Sequence, residues 1–233
     1  MKFSVSREVF EKMGNACFGI VVARGIKNRP NPDVMAFLEN SLTDTEERYM
    51  DRNVKEADEI VYYREAFSAL GINPNKFMSS IEAMITRVAK KKGLPHINAI
   101  VDLGNAISLK YTVPIGAHDI DVADEDICLR FSNAEDVFIP FGETEAEILD
   151  EGELIYTVGN KVKTRRWIWR QSEIGKITEE SKNIFFPIDG FSDKNYDFVM
   201  RSRDELSERL TNYFGCEVIV GFVDKDNPEF IIK

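Results

Sequence analysis

The sequence is short of the residues from which common enzyme and metal sites are built. Its 233 residues hold three cysteines, Cys17, Cys128 and Cys216, and two histidines, His96 and His118. The cysteines are far apart, odd in number and form no C-x-x-C pair. That argues against a disulfide framework and against a structural zinc site, and it fits a reducing cytoplasm. No apolar run approaches the roughly 20 residues that cross a bilayer, so no membrane partner is expected. The opening MKFSVSREVF lacks the charged start, apolar middle and small-residue cleavage site of a secretory leader. Neither G-x-S-x-G, nor a Walker-type loop, nor a Cys–His constellation occurs. Positive charge is also scarce: 30 Lys and Arg stand against 40 Asp and Glu, a net charge of −10. That balance counts against a general nucleic-acid binder, which carries a basic face, and no DNA partner is expected.

What is present divides into a helical first half and a strand-rich second half. Phe18–Val22 (FGIVV) reads as a buried strand, and Asn28–Asp33 (NRPNPD) as a turn. Helical spacing runs from about Val34 to Val61, where Val34, Phe37, Leu38 and Leu42 share a face. Further helices are expected over Glu56–Leu70, Ser79–Lys92 and Pro95–Tyr111, with Gly104 inside the last. Beyond Tyr111, ICLRF, DVFIPFG, GELIYTV, NKVKTRRWIWRQS and IFFPI read as short strands. A helix over Asp204–Phe214 and a strand over Glu217–Val223 close the chain. The expected class is α+β. One domain spans residues 1–233, helical over about 30–110 and strand-rich over about 115–225, with Phe18–Val22 paired to later strands.

One segment opposes the overall charge. From Lys161 to Lys176 there are six basic residues and one acid, Glu173. Both tryptophans lie inside it, in Arg165–Ser172 (RRWIWRQS). Read as one extended strand, it puts Arg165, Trp167, Trp169 and Gln171 on one face and Arg166, Ile168, Arg170 and Ser172 on the other. Arginine forks match phosphates and indoles stack on bases, so the strand can meet a polyanion. Equally, tryptophans on one strand face fill cores, and arginines pair with nearby acids. Glu143, Glu145, Glu147, Asp150, Glu151 and Glu153 lie just upstream.

Ile100–Asp121 reads IVDLGNAISLKYTVPIGAHDID. It resembles the B3/B4 domain of the phenylalanyl-tRNA synthetase β subunit. That domain has a valine–aspartate pair, an asparagine after a two-residue gap, a helix, then a proline and a short loop closing on aspartate. Val101, Asp102, Asn105, Leu109, Pro114, Ala117 and Asp119 occupy those places here. Lys176–Phe186 (KITEESKNIFF) is similar to the family's later segment, and RRWIWRQS resembles the version in free-standing B3/B4 proteins. The likeness covers roughly residues 90–190.

The resemblance implies a B3/B4-like fold with a helical N-terminal part and a partly open barrel or sheet. It also implies tRNA as partner. In the synthetase this domain hydrolyses tyrosine wrongly attached to the phenylalanine tRNA; a free-standing copy would act in trans or only bind. Three pocket groups of the synthetase are replaced: its histidine by Gly116, its threonine by Gly104, and its tyrosine-recognising glutamate by a residue at about Pro187. A pocket that selects a hydroxyl needs a buried polar partner for it.

His118 beside Asp119 is a candidate general base, and Asn105 a candidate for holding the aminoacyl end. Asp102, Gly104, Pro114, Gly116 and Trp169 are the candidate substrate-binding positions. Lys163, Arg165, Arg166, Arg170 and Lys176 are the candidate nucleic-acid contacts. The ring of Asp119, Asp121, Asp124 and Asp126 has Asp124 and Arg130 where a calcium loop of the EF-hand type needs glycine and glutamate. A solvated acidic loop is expected there, with no metal and no cofactor. His96 reads as a packing or capping residue. A non-catalytic pocket for an amino acid or other small molecule is the alternative function.

Overall fold

The computed structural model describes residues 1–232. Its elements are β1 (Lys2–Val5), α1 (Arg7–Lys12), β2 (Ala16–Arg24), α2 (Pro32–Tyr49), α3 (Asp58–Ala69), α4 (Ser80–Ala89), α5 (Ala99–Tyr111), β3 (His118–Asp119), β4 (Ile127–Phe131), β5 (Leu154–Val158), β6 (Lys161–Arg165), β7 (Arg170–Gln171), β8 (Ile184–Phe191), α6 (Tyr196–Phe214), β9 (Glu217–Val223) and β10 (Glu229–Ile231). The class is α+β, and the strands form two open sheets. One has the order β10-β1-β4-β5-β6-β7 and the other β3-β8-β2-β9.

The apolar run of β2 sets the layering. Successive side chains point to opposite faces. Phe18, Ile20 and Val22 therefore join Phe3, Tyr156 and Phe185 in the cluster between the sheets. Cys17, Val21 and Ala23 join Ile100, Leu103 and Ile107 of α5 and Val199, Leu206 and Leu210 of α6 on the other side. The four-stranded sheet is thus buried on both faces, which is why β2 and β8 read as continuous apolar runs rather than alternating ones. They pair antiparallel from Ala16↔Phe191 to Ala23↔Ile184, and β9 flanks β2. The expected pairing of Phe18–Val22 with later strands is what the structure shows. A Cβ at Gly190 would stand 2.3 Å from Val199 Cγ2, so glycine is what lets α6 lie against β8.

The helices start where their caps say. Asn31 accepts from the amides of Asp33 and Val34 with Pro32 opening α2, Ser79 from Glu82 of α4, and Asn98 from Val101 of α5. The helical spacing from Val34 to Val61 belongs to two helices, broken after Tyr49, where Asp51 takes a positive φ of 65°. The last helix starts at Tyr196, ahead of the expected Asp204. DVFIPFG forms only isolated bridges, Val137↔Lys161, Phe138↔Glu147 and Pro140↔Ser172. The short β1, α1 and β10 were not expected.

Gly104 sits in the middle of α5, and a Cβ built there meets nothing within 4 Å. Gly104→Ala is expected to stabilise the fold by about 1 kcal/mol, the helix-propensity difference, in urea denaturation. A loss of stability would show that the space is not free.

Candidate functional site

RRWIWRQS is not one strand. β6 ends at Arg165, and the chain turns back through Arg166 (φ 48°) and Trp167 (φ 60°). β7 then pairs Arg165 with Arg170 and Thr164 with Gln171. The alternation expected for an extended segment therefore fails. Two consecutive non-glycine residues in the left-handed region cost roughly 1–2 kcal/mol each, and burial offsets that cost. The Trp167 ring is fully buried, and its Nε1 donates to Asp189 Oδ1 at 2.6 Å.

The basic segment meets the acidic one inside the molecule. Arg165 forks onto Glu153, with Nε to Oε2 at 2.8 Å and Nη2 to Oε1 at 2.7 Å, and its Nη1 reaches Glu147 at 2.8 Å. Arg166 Nη2 lies 3.0 Å from Asp150 and 3.1 Å from Glu153, and its guanidinium stacks 4.0 Å over the Phe77 ring. Arg170 Nη1 donates to Glu147 at 3.3 Å, and Lys176 pairs with Glu173. Arg165 and Arg166 are 7% and 8% exposed. Lys163 is 1% exposed, and its Nζ has no hydrogen-bond partner among the described residues. Of the five residues expected to face a polyanion, only Arg170 and Lys176 reach solvent.

Beside this turn lies a cleft of about 130 Å³. Its walls are Pro114, Ile115, Pro187, Ile168 and Trp169, and Ser80, Thr164 and Gln171 supply polar groups. Asp189 is at the floor, 1% exposed. Tyr156 Oη donates to the same Oδ1 as Trp167, at 2.7 Å. Tyr63 Oη holds the Asp189 backbone carbonyl at 2.9 Å and itself accepts from Asn195 Nδ2 at 2.8 Å. Burial pushes the Asp189 carboxyl up to about 7 against the two side-chain donors. It therefore changes charge near neutral pH.

His118 lies on β3, its ring centroid 5.7 Å from that of Tyr156 and 6.3 Å from that of Phe185. Burial first, then the charge of Lys163, pushes its pKa down to about 3. It is a neutral imidazole at pH 7, and its Nδ1 has no partner among the described residues. Gly116 keeps the cleft open: a Cβ there would stand 3.0 Å from Pro187 Cγ and 3.1 Å from His118 Nε2.

Pro114, Gly116, His118 and Trp169 line the cleft, as does Pro187. Asp102, Gly104 and Asn105 do not. They lie on α5, where Asp102 accepts from the Ile97 amide at 3.1 Å and from His96 Nδ1 at 3.2 Å. Asp119 accepts from Ser181 Oγ and the Asp121 amide, not from His118. Asn105, His118 and Asp119 thus form no hydrogen-bonded unit. Around them, Asp121 and Asp124 tie the loop to Asn183 and Lys161. Among the described residues no three His, Cys, Asp or Glu side chains cluster as metal ligands would. Nor is any helix there long and apolar enough to cross a membrane.

Sequence reasoning missed Asp189, Tyr156, Thr164 and Ser80. Asp189 had a signal: it is the one carboxylate inside the apolar strand IFFPIDGF. A charge in a strand buried on both faces needs built partners.

Fold and cleft together define a two-sheet α+β module with a small, half-open cleft and a buried carboxylate at its floor. The sequence signature of the B3/4 domain matches residues 62–212, and the chain belongs to that family. Among solved structures it is similar to the crystal structure of an N-terminal fragment of the phenylalanyl-tRNA synthetase β-subunit from Pyrococcus horikoshii, with a TM-score of 0.52 at 13% sequence identity. The likeness covers 93% of this chain and 49% of that one, so the chain spans about half of the fragment. No curated protein matches the chain in sequence.

Proposed function

We propose that the Asp189 cleft binds the aminoacyl group at the end of a charged tRNA. Family membership and the fold support the tRNA connection. The observation that carries the ligand is the cleft's chemistry, apolar walls around one buried carboxylate. Such a site takes an apolar or aromatic side chain and one hydrogen-bond donor, a hydroxyl or an ammonium. The glutamate absent at Pro187 has a substitute two residues on, since Asp189 brings a carboxylate to the same cleft.

Hydrolysis in trans is the finer reading. No side-chain nucleophile with a hydrogen-bonded base lines the cleft, so water would attack the ester, which is already activated. Rate would come from orientation and fixed dipoles rather than from proton storage on His118, which stays neutral at pH 7. The second reading is a free small molecule held without turnover. The internal pairing of Arg165, Arg166 and Arg170 favours it, because those charges are already matched.

The test is deacylation and filter binding over a panel of aminoacyl-tRNAs, mischarged phenylalanine tRNA included, with wild type, Asp189→Asn and Trp169→Ala. Release or retention of one aminoacyl-tRNA, weakened about tenfold or more in both variants, is expected from the loss of one charged hydrogen bond or one wall. No release and no binding by wild type would sink the tRNA reading and leave the small-molecule one.

A further inference from the structure

The floor of the Asp189 cleft offers two free polar atoms. Asp189 gives its Oδ1 to Tyr156 and Trp167. Its Oδ2 has no partner among the described residues and is not one of the polar atoms sealed from solvent, so it opens to the cleft that Asp189 lines. The second atom belongs to His118, which is 3% exposed. Its Nδ1 is sealed and unpartnered among the described residues. Its Nε2 is unpartnered there too but open, 3.1 Å from the place a Gly116 Cβ would take. Both side chains are more than nine-tenths buried, and each presents one atom to the same small space.

The two atoms differ in kind. An ionised carboxylate only accepts hydrogen bonds. The His118 ring is neutral at pH 7 and carries one proton. A buried N–H without an acceptor is rarer than a buried lone pair without a donor. The proton therefore belongs on Nε2, where a ligand can accept it. One acceptor beside one donor matches a hydroxyl, which is both. An ammonium suits the carboxylate alone and would leave the imidazole N–H facing a cation.

Size narrows the ligand further. The cleft, its open mouth included, has a volume of about 130 Å³. A cavity of about 150 Å³ holds one benzene ring, so a phenol overfills this one before its hydroxyl reaches the floor. Half-buried Gln171 donates its Nε2 to the Ala117 carbonyl at 2.8 Å. Its Oε1 is left as an acceptor on the cleft wall.

We propose that the Asp189 cleft selects a small aliphatic side chain bearing a hydroxyl, the class of serine and threonine, which donates to Asp189 Oδ2 and accepts from His118 Nε2. The α-ammonium donates to Gln171 Oε1, and the methyl of threonine lies against Pro114, Ile115 and Pro187. This specificity rests on the aminoacyl site proposed above.

Deacylation and filter binding with the full chain, over threonyl-, seryl-, valyl-, alanyl-, phenylalanyl- and tyrosyl-tRNA, test it. Valine and alanine are the counterparts that lack the hydroxyl. Threonyl- or seryl-tRNA is expected to be released or retained about tenfold or more better than its counterpart and than either aromatic one. Asp189→Asn puts an amide donor where Oδ2 stands. Both floor atoms then donate, and the threonine-to-valine ratio should fall towards one. A variant that only loosened the fold would weaken both substrates together and keep the ratio, and an unchanged ratio would overturn the proposal. Equal handling of threonine and valine, or a preference for tyrosine or phenylalanine, would also overturn it while leaving the aminoacyl site standing. If no aminoacyl-tRNA is released or retained, the aminoacyl site itself fails, and calorimetric titration with free L-threonine and L-valine decides the specificity. Heat from threonine alone would support the hydroxyl site; equal binding of both, or heat from neither at about 1 mM, would overturn it.

Discussion

Asp189→Asn is expected to make folding stability rise with pH between about 4 and 6.5 more steeply than in wild type. Two buried groups pull in opposite directions across that window. The Asp189 carboxyl is raised from 3.8 to about 7, so between those values the folded chain holds a proton that the unfolded chain has released. Its contribution is therefore largest below pH 4 and is lost as pH rises towards 7, by on the order of 4 kcal/mol. His118 is lowered from 6.5 to about 3, so the unfolded chain takes up a proton that the folded chain refuses. Its contribution is complete above pH 6.5 and is lost as pH falls towards 3, by on the order of 5 kcal/mol.

In wild type the two largely cancel. Asn at 189 keeps the Oδ1 acceptor for Tyr156 and Trp167 while removing the titration, so the rising limb of His118 is exposed. His118→Gln should do the reverse and expose a falling limb. Urea denaturation at pH 4 to 8 checks both. Parallel curves for wild type and Asp189→Asn would mean that Asp189 does not titrate in this range. The consequence for binding is direct: above pH 7 the cleft floor is an anion suited to an ammonium, and below it a carboxylic acid.

The layering of the fold was legible from local pattern. FGIVV and IFFPI are short, apolar on successive residues and rich in β-branched and aromatic side chains, the composition of a strand covered on both faces. The helix starts were legible because Asn31, Ser79 and Asn98 are caps whose chemistry is local. The turn in RRWIWRQS was not. It carries none of the Gly, Asn or Asp that usually mark positive φ; Arg166 and Trp167 adopt it because tertiary burial outweighs the local cost. Motif order points to Pro114, Gly116 and His118, and RRWIWRQS to Trp169; all four line the cleft. Asp102, Gly104 and Asn105 share the motif but lie on α5 and do not line that cleft. Asp189 comes from a different segment, and its role depends on Tyr156 and Trp167 arriving from two further strands and turns.

Glu153→Ala is expected to cost about 3–5 kcal/mol, because it leaves two buried guanidiniums facing a lost partner. Glu153 takes the fork of Arg165, and its Oε1 lies 3.1 Å from Arg166. The exposed pair Arg170–Glu147 is a contrast, and Arg170→Ala should change stability by less than about 1 kcal/mol. Arg165→Met combined with Glu153→Ala should recover part of the loss, since removing both charges is milder than stranding one; a coupling above about 1 kcal/mol in the double-mutant cycle is the expected signature. Thermal and urea denaturation of the four proteins measure it. The same variants separate structure from recognition. If tRNA phosphates touch this hairpin, the salt dependence of binding should flatten in Arg170→Ala and Lys176→Ala, whose cations reach solvent. Arg165 contributes no phosphate contact while Glu153 holds it. An additive cycle would mean that the acidic run does not neutralise the arginines, and the hairpin would again be free to meet a polyanion.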